Sequence, residues 1–324
     1  MIYTELILFD LERNDFLATK EDLKLLQNQS LQDKIQRSLG LISEWYAYYD
    51  NQCYVSFSGG KDSTVLADIA AKWCSIAQIP LYLVFADTGL EFPEVKQHVH
   101  EYADYLRQKY NIEVVLEILR PKMTFCDVIA KYGYPVIGKR QAGYIRLARQ
   151  NLLQGKYSIR LKYLGMDEEE AQSLGLIMPD EEMLARYKAS TDGSKYRMAN
   201  YKPLLFTDFI LSEQCCDIMK KEPMHRYSKK FGRMPITGQM TEESSSRENT
   251  WMKNGCNAFN AKNPISNPLS FWTEQDILHY IKTSPPSHCR LFTARSYLSK
   301  DRMKNYVQRA VTEPAVCIAA SEHI

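Results

Sequence analysis

The stretch that most restricts the fold of this chain lies between residues 53 and 73. Cys53-Tyr54-Val55-Ser56-Phe57-Ser58 is an apolar run of strand length, Gly59 and Gly60 end it, and Val65, Leu66, Ile69 and Ala70 then recur at helical spacing. The turn itself, Ser58-Gly59-Gly60-Lys61-Asp62-Ser63, aims backbone N–H groups and the positive end of a helix dipole at one point, the arrangement that binds an anion. The glycines let the backbone come close, Lys61 adds a positive charge, and the hydroxyls of Ser58 and Ser63 can donate to phosphate oxygens. A tight turn with a helix cap at Asp62 or Ser63 is the plainer alternative, but the strand before and the helix after favour a phosphate. A kinase-type loop is excluded, because Val55 stands where the first glycine of Gly-x-x-x-x-Gly-Lys-Ser/Thr belongs and Asp62 follows the lysine.

The surrounding pattern predicts a parallel sheet. A helix over residues 31–50, with Ile35, Leu39, Ile42, Trp45 and Tyr46 on one side, precedes the first strand. After the helix at 61–73 come a strand at 81–86, an amphipathic helix at 93–110, a strand at 114–119 and a helix at 124–132. Such alternation predicts a doubly wound, mainly parallel α/β sheet with helices on both faces. Ligands of such sheets sit beyond the carboxyl ends of the strands, which puts residues 58–63 and Asp87-Thr88-Gly89 along one rim. Residues 138–202 have little strand character and read as a helical insertion with a helix at 141–153. A further strand at 234–238 leads into residues 239–247, and 272–281 reads as a helix capped by Thr273. Residues 1–30 are then an N-terminal extension and 31–283 the ligand-binding domain.

At 324 residues with 45% hydrophobic content, the chain can bury a full α/β core. A formal charge of +2 points to neither nucleic acid nor an acidic membrane surface, so a nucleic-acid partner would need a local basic arrangement. The apolar run within Met1–Asp10 lacks the basic start and cleavage site of a signal peptide, and nothing approaches the ~20 apolar residues of a membrane span. The expectation is a cytoplasmic protein with no membrane contact, whose eight cysteines are thiols or metal ligands.

The run at residues 58–63 resembles the PP-loop of the adenine nucleotide alpha-hydrolase superfamily. Ala86-Asp87-Thr88-Gly89-Leu90-Glu91-Phe92-Pro93 narrows the likeness to the phosphoadenosine phosphosulfate (PAPS) reductase family, which carries a similar Asp-Thr-Gly-x-x-Phe-Pro run. The resemblance implies that Ser58, Gly59, Gly60, Lys61, Asp62 and Ser63 hold the phosphate or sulfate end of ATP or an adenylyl sulfate, with Asp87, Thr88 and Gly89 lining the nucleotide pocket. With ATP it implies attack at the α-phosphate, Lys61 and backbone amides steadying the departing pyrophosphate, and Mg2+ as a companion. A third segment, residues 237–247, is similar to a later strand-end motif of the family. Arg247, whose fork matches tetrahedral oxyanions, is a candidate catalytic contact there, and a surface arginine is the equal alternative. Lys139 and Arg140 are weaker candidates of the same kind.

Cys215 and Cys216, with Lys220, Lys221 and Pro223 after them, resemble the adjacent-cysteine motif of the iron–sulfur members, where the pair and a later Cys-x-x-Cys hold a 4Fe–4S cluster. No Cys-x-x-Cys occurs, and Cys256 leaves three candidate ligands before the tail, so the site is partial. From Ser284 the likeness to the family stops. Re-reading residues 312–323 from the last base of each codon permits Asn-Arg-Thr-Gly-Cys-Met-Tyr-Cys-Gly-Phe-Gly-Thr, which contains the missing pair. Residues 284–324 are therefore expected to be an out-of-frame tail, with Cys289 and Cys317 as accidental thiols. The coding DNA settles that point. Family reductases attack sulfur with a cysteine in a Glu-Cys-Gly-x-His-like tail, and no such tail is present. The favoured function is thus ATP-dependent pyrophosphatase, adenylyl-transfer or sulfur-transfer chemistry, of the kind seen in relatives that modify nucleic acids with sulfur, with a sulfur donor or redox protein as partner. A sulfonucleotide reductase and a non-catalytic nucleotide-binding protein are the alternatives.

Overall fold

The computed structural model describes residues 18–133, 137–191 and 198–283. The expectations for most of the N-terminal extension and for residues 284–324, including Cys289 and Cys317, lie outside the described residues. The chain divides into two compact units, residues 1–120 with 223–324, and Pro121–Glu222.

In the first unit, α1 (Lys20–Gln27) and α2 (Leu31–Tyr48) lead into β1 (Cys53–Ser56). Thr19 starts α1 with a reciprocal pair of bonds to Asp22, and the Ser30 hydroxyl accepts the Asp33 N–H at the start of α2. Then come α3 (Lys61–Ala77), β2 (Leu81–Ala86), α4 (Pro93–Tyr110) and β3 (Val114–Leu119). Helix α3 runs one turn past the expected end at Trp73, because buried Cys74 continues its apolar stripe. It stops where Gln78 takes a left-handed φ of 54°.

The second unit carries α5 (Phe125–Tyr132), α6 (Lys139–Leu153), α7 (Ile159–Tyr163), α8 (Glu168–Ser173) and α9 (Glu181–Thr191). Its own core joins Ile145, Ala148, Tyr157, Leu161, Leu164, Met166, Ala171, Leu205 and Leu211. This body is wider than the span 138–202, since it takes in α5 and a π-helical turn at Asp217–Lys221.

The chain continues with α10 (Glu222–Phe231), β4 (Met234–Ile236), α11 (Ser245–Asn254), β5 (Asn257–Ala258), β6 (Ile265–Ser266) and α12 (Glu274–Thr283). The six strands lie in the order β3-β2-β1-β4-β6-β5, and every pairing is parallel except β5 with β6. The fold is α/β with a mainly parallel sheet. From β1 the chain steps outward to β2 and β3, then returns to the other side of β1 as β4. The order therefore reverses between β1 and β4, and the loops that leave those two strands flank the crevice where such sheets take their ligands. Val55, Phe57, Leu66, Ile69, Leu81, Leu83 and Ile236, each at most 1% exposed, pack the sheet against its helices.

Candidate functional site

The loop after β1 is shaped by what its residues lack. Gly59 has φ +72°, and a Cβ there would meet Val95 Cγ1 at 3.0 Å and Val99 Cγ2 at 3.1 Å on α4. Gly60 is the N-cap of α3 and supplies no side-chain cap, so the first N–H groups of the helix are left without the side-chain acceptor that α1 and α2 possess. The loop is closed by its serines. Ser63 Oγ accepts the Ser58 N–H at 3.2 Å, lies 3.0 Å from Ser58 Oγ and 3.0 Å from the Gly60 carbonyl oxygen. Its hydroxyl thus serves the shape of the loop.

Gly238, immediately beyond β4, completes the cradle. A Cβ at that position would stand 3.1 Å from the Asp62 carbonyl oxygen and 3.3 Å from the Ser63 nitrogen. The segment after β4 therefore rests backbone to backbone on the start of α3. Lys61 Nζ lies 2.8 Å from Asp62 Oδ1 and 3.6 Å from Glu274 Oε1. Partial burial works against its charge, but the bond to Asp62 and the charges of Asp62 and Glu274 outweigh it and raise the lysine above its ordinary range.

The loop after β2 stands beside it, since β1 and β2 pair in register at Val55 with Leu83 and Ser56 with Val84. Asp87 Oδ1 accepts the Gly89 N–H at 3.0 Å and lies 2.9 Å from Lys96 Nζ. Burial would raise this carboxyl, but Lys96, the Gly89 amide and the charge of Arg120 hold it below the usual carboxylate range. Thr88 donates its N–H and its hydroxyl to Glu91, both at 2.8 Å, and Gly89 has φ +81° with open space where a Cβ would be. Arg247 lies in the first turn of α11 and is paired with Glu243 one turn earlier, whose carboxylate also accepts the Met240 N–H at 3.1 Å.

The fold thus puts residues 58–63 and 87–89 on adjacent strand ends and adds Gly238, Lys96 and Glu274. Gly238 had a readable signal, its place in the segment 237–247 that resembles a strand-end motif of the family. Lys96 and Glu274 had none, for each meets its partner only through packing.

In the second unit, Lys139 opens α6 and hydrogen-bonds Cys216, which together with the charges of Cys215 and Asp217 raises the lysine against slight burial. Arg140 is the next residue of that helix. Cys215 and Cys216 are half-buried, and burial, then the neighbouring Cys216, pushes the Cys215 thiol up. Glu213 beside them is gripped by Arg146 through Nε at 3.0 Å and Nη2 at 2.6 Å. Among the described residues no three His, Cys, Asp or Glu side chains gather to hold a metal ion. Cys256 is buried in the first unit's core, where its sulfur accepts from Trp251 Nε1 at 3.3 Å and Ser270 Oγ at 3.1 Å. The described residues therefore do not fit a complete 4Fe–4S ligand set, and Cys215 and Cys216 remain a pair.

The family model for the phosphoadenosine phosphosulfate reductase domain matches residues 52–154 and 153–298. Two uncharacterized proteins of Methanocaldococcus jannaschii are similar: MJ0973, 34% identical over 34% of this chain, and MJ0066, 31% identical over 37% of it. The aligned stretches span 25% and 23% of those proteins' lengths. Among solved structures, the U34-tRNA thiolase NcsA from Methanococcus maripaludis with its 4Fe–4S cluster shares 15% identity over 62% of this chain and 79% of its own, at a TM-score of 0.22. A superposition that slight decides nothing about this chain. Among the described residues no helix is long and apolar enough to cross a membrane.

Proposed function

The chain belongs to the phosphoadenosine phosphosulfate reductase domain family, and on that premise we propose that residues 58–63 bind the phosphates of ATP for adenylyl-transfer or sulfur-transfer chemistry. The observation that carries this reading is the uncapped start of α3, on which the segment at Gly238 rests backbone to backbone. N–H groups at a helix start that no side chain caps suit a tetrahedral oxyanion. A nucleophile then attacks the α-phosphorus, and the bond to the pyrophosphate oxygen breaks. The α3 amides and Lys61 act on the negative charge that gathers on the departing pyrophosphate. Magnesium belongs to this proposal as a companion of the phosphates, held by them and by one or two carboxylates. The nucleotide's remaining contacts fall to the neighbouring rim at Asp87, Thr88 and Gly89, and a sulfur donor or redox protein completes the reaction.

Calorimetric titration with ATP and with adenylyl sulfate, followed by an assay of pyrophosphate release, tests the reading. Gly238→Val drives side-chain atoms into the backbone of Asp62 and Ser63 and is expected to weaken ATP binding about tenfold or more, ~1.4 kcal/mol per factor of ten. Unchanged affinity in that variant refutes the placement of the phosphates. Binding of adenylyl sulfate without ATP would move the function to sulfonucleotide reduction. Iron and sulfide content after anaerobic purification tests Cys215 and Cys216 independently of the nucleotide.

A further inference from the structure

Two carboxylates close on Lys61, and only Asp62 belongs to the loop. The other, Glu274, is the first residue of α12 and reaches to 3.6 Å from Nζ. The backbone that carries it is fixed from several directions. Thr273 donates its N–H and its hydroxyl to Asp276 Oδ2, each at 2.7 Å, and accepts the Asp276 N–H in return. Lys34 Nζ holds the same Asp276 oxygen at 2.6 Å, and Glu242 Oε2 accepts the Glu274 N–H at 2.6 Å. Glu242 comes from the segment that begins with Gly238, so the start of α12, the stretch after β4 and the loop after β1 are tied together. The Glu274 side chain is 51% exposed, whereas that of Asp62 is 27% exposed.

We propose that Glu274 is a positioning residue for Lys61: it draws Nζ toward α12 and must yield it when phosphates bind, so that it sets the anion affinity of the loop. The proposal rests on the reading that residues 58–63 take a nucleotide's phosphates. An arriving phosphate competes with two carboxylates for one ammonium. Glu274→Gln leaves Asp62 as the single competitor. A partly exposed ion pair is weak, which limits the gain to about two- to fivefold in affinity.

Inorganic pyrophosphate and ATP titrated calorimetrically into the full chain provide the test, with the natural protein, Glu274→Gln, Lys61→Met and the double variant. Glu274→Gln is expected to bind pyrophosphate about two- to fivefold more tightly than the natural chain, and to make no difference in the Lys61→Met background. Glu274→Asp, which keeps an acid in the first turn of α12 but shortens its reach, is expected to fall between. Equal or weaker binding by Glu274→Gln, while the natural chain binds, overturns the proposal. The same tightening without Lys61 overturns it as well, because a general loss of negative charge would need no lysine. If neither ligand binds the natural chain or Glu274→Gln, the phosphate reading of residues 58–63 falls, and the role of Glu274 falls with it.

Discussion

Lys34 is a charged residue with only 2% of its side chain exposed, and its charge is met by Asp276 at 2.6 Å and by the Gln27 carbonyl oxygen at 2.7 Å. Burial would raise the Asp276 carboxyl, but the bond from Lys34 and the N–H and hydroxyl of Thr273 outweigh burial and lower it. A carboxyl lowered in the folded state stabilises the protein above its unfolded pKa of ~3.9, and the contribution is lost as pH falls through the folded value. Asp276→Asn is therefore expected to cost about 3 kcal/mol at pH 7, since it strands a buried ammonium. Urea denaturation across pH should show that difference shrinking below about pH 4; a gap that stays constant, or widens in acid, would contradict the pairing. At this scale the chain's text named Lys61 but not its company. Asp62 is its neighbour in sequence, whereas Glu274 reaches it only because β1 and α12 share one body. Lys34 meets Asp276 for the same reason, across 242 residues of chain.

Asp68 joins three elements. It lies on α3 with its side chain buried, takes Lys109 Nζ of α4 at 2.8 and 2.9 Å, and accepts the Tyr280 hydroxyl of α12 at 2.8 Å. The helix that begins at residues 58–63 is thereby fixed to α4 and α12. Burial disfavours the charge on Lys109, yet Asp68 raises that lysine above its usual range. Asp68→Ala removes the acceptor from both partners and is expected to destabilise by about 3 kcal/mol, at the low end for a broken buried pair because Lys109 keeps some access to water. Chemical denaturation measures it, and a loss below about 0.5 kcal/mol, the range of a surface change, would show that the helices are held by apolar packing alone. Element positions were legible where their signals are local. Thr273 announced the start of α12 because a cap is a signal of neighbouring residues. Strand length was less legible: β1 ends at Ser56 and not Ser58, because ladder bonds require neighbours that the sequence does not show.

Each unit has its own apolar core, one centred on the sheet and one on α6 to α8. Units of that kind are expected to unfold in separable steps. Leu83→Ala in the first core and Leu161→Ala in the second, both at 0% exposure, should each cost about 2–5 kcal/mol and shift different parts of the denaturation curve. A single transition moved equally by both variants would refute that independence. At the scale of the whole molecule, the sequence by itself determined the α/β class and the order of its first strands and helices. It also determined the strand, glycine turn and helix start at residues 53–73, because hydrophobic period, glycine and helix start are properties of neighbouring residues. Only the tertiary structure decided that β4 returns beside β1, that Gly238 seals the cradle, that Cys256 is a core thiol, and that Lys61 is contested by Glu274. Those outcomes depend on which distant segments meet, and a linear pattern holds the distances along the chain but not the distances across it.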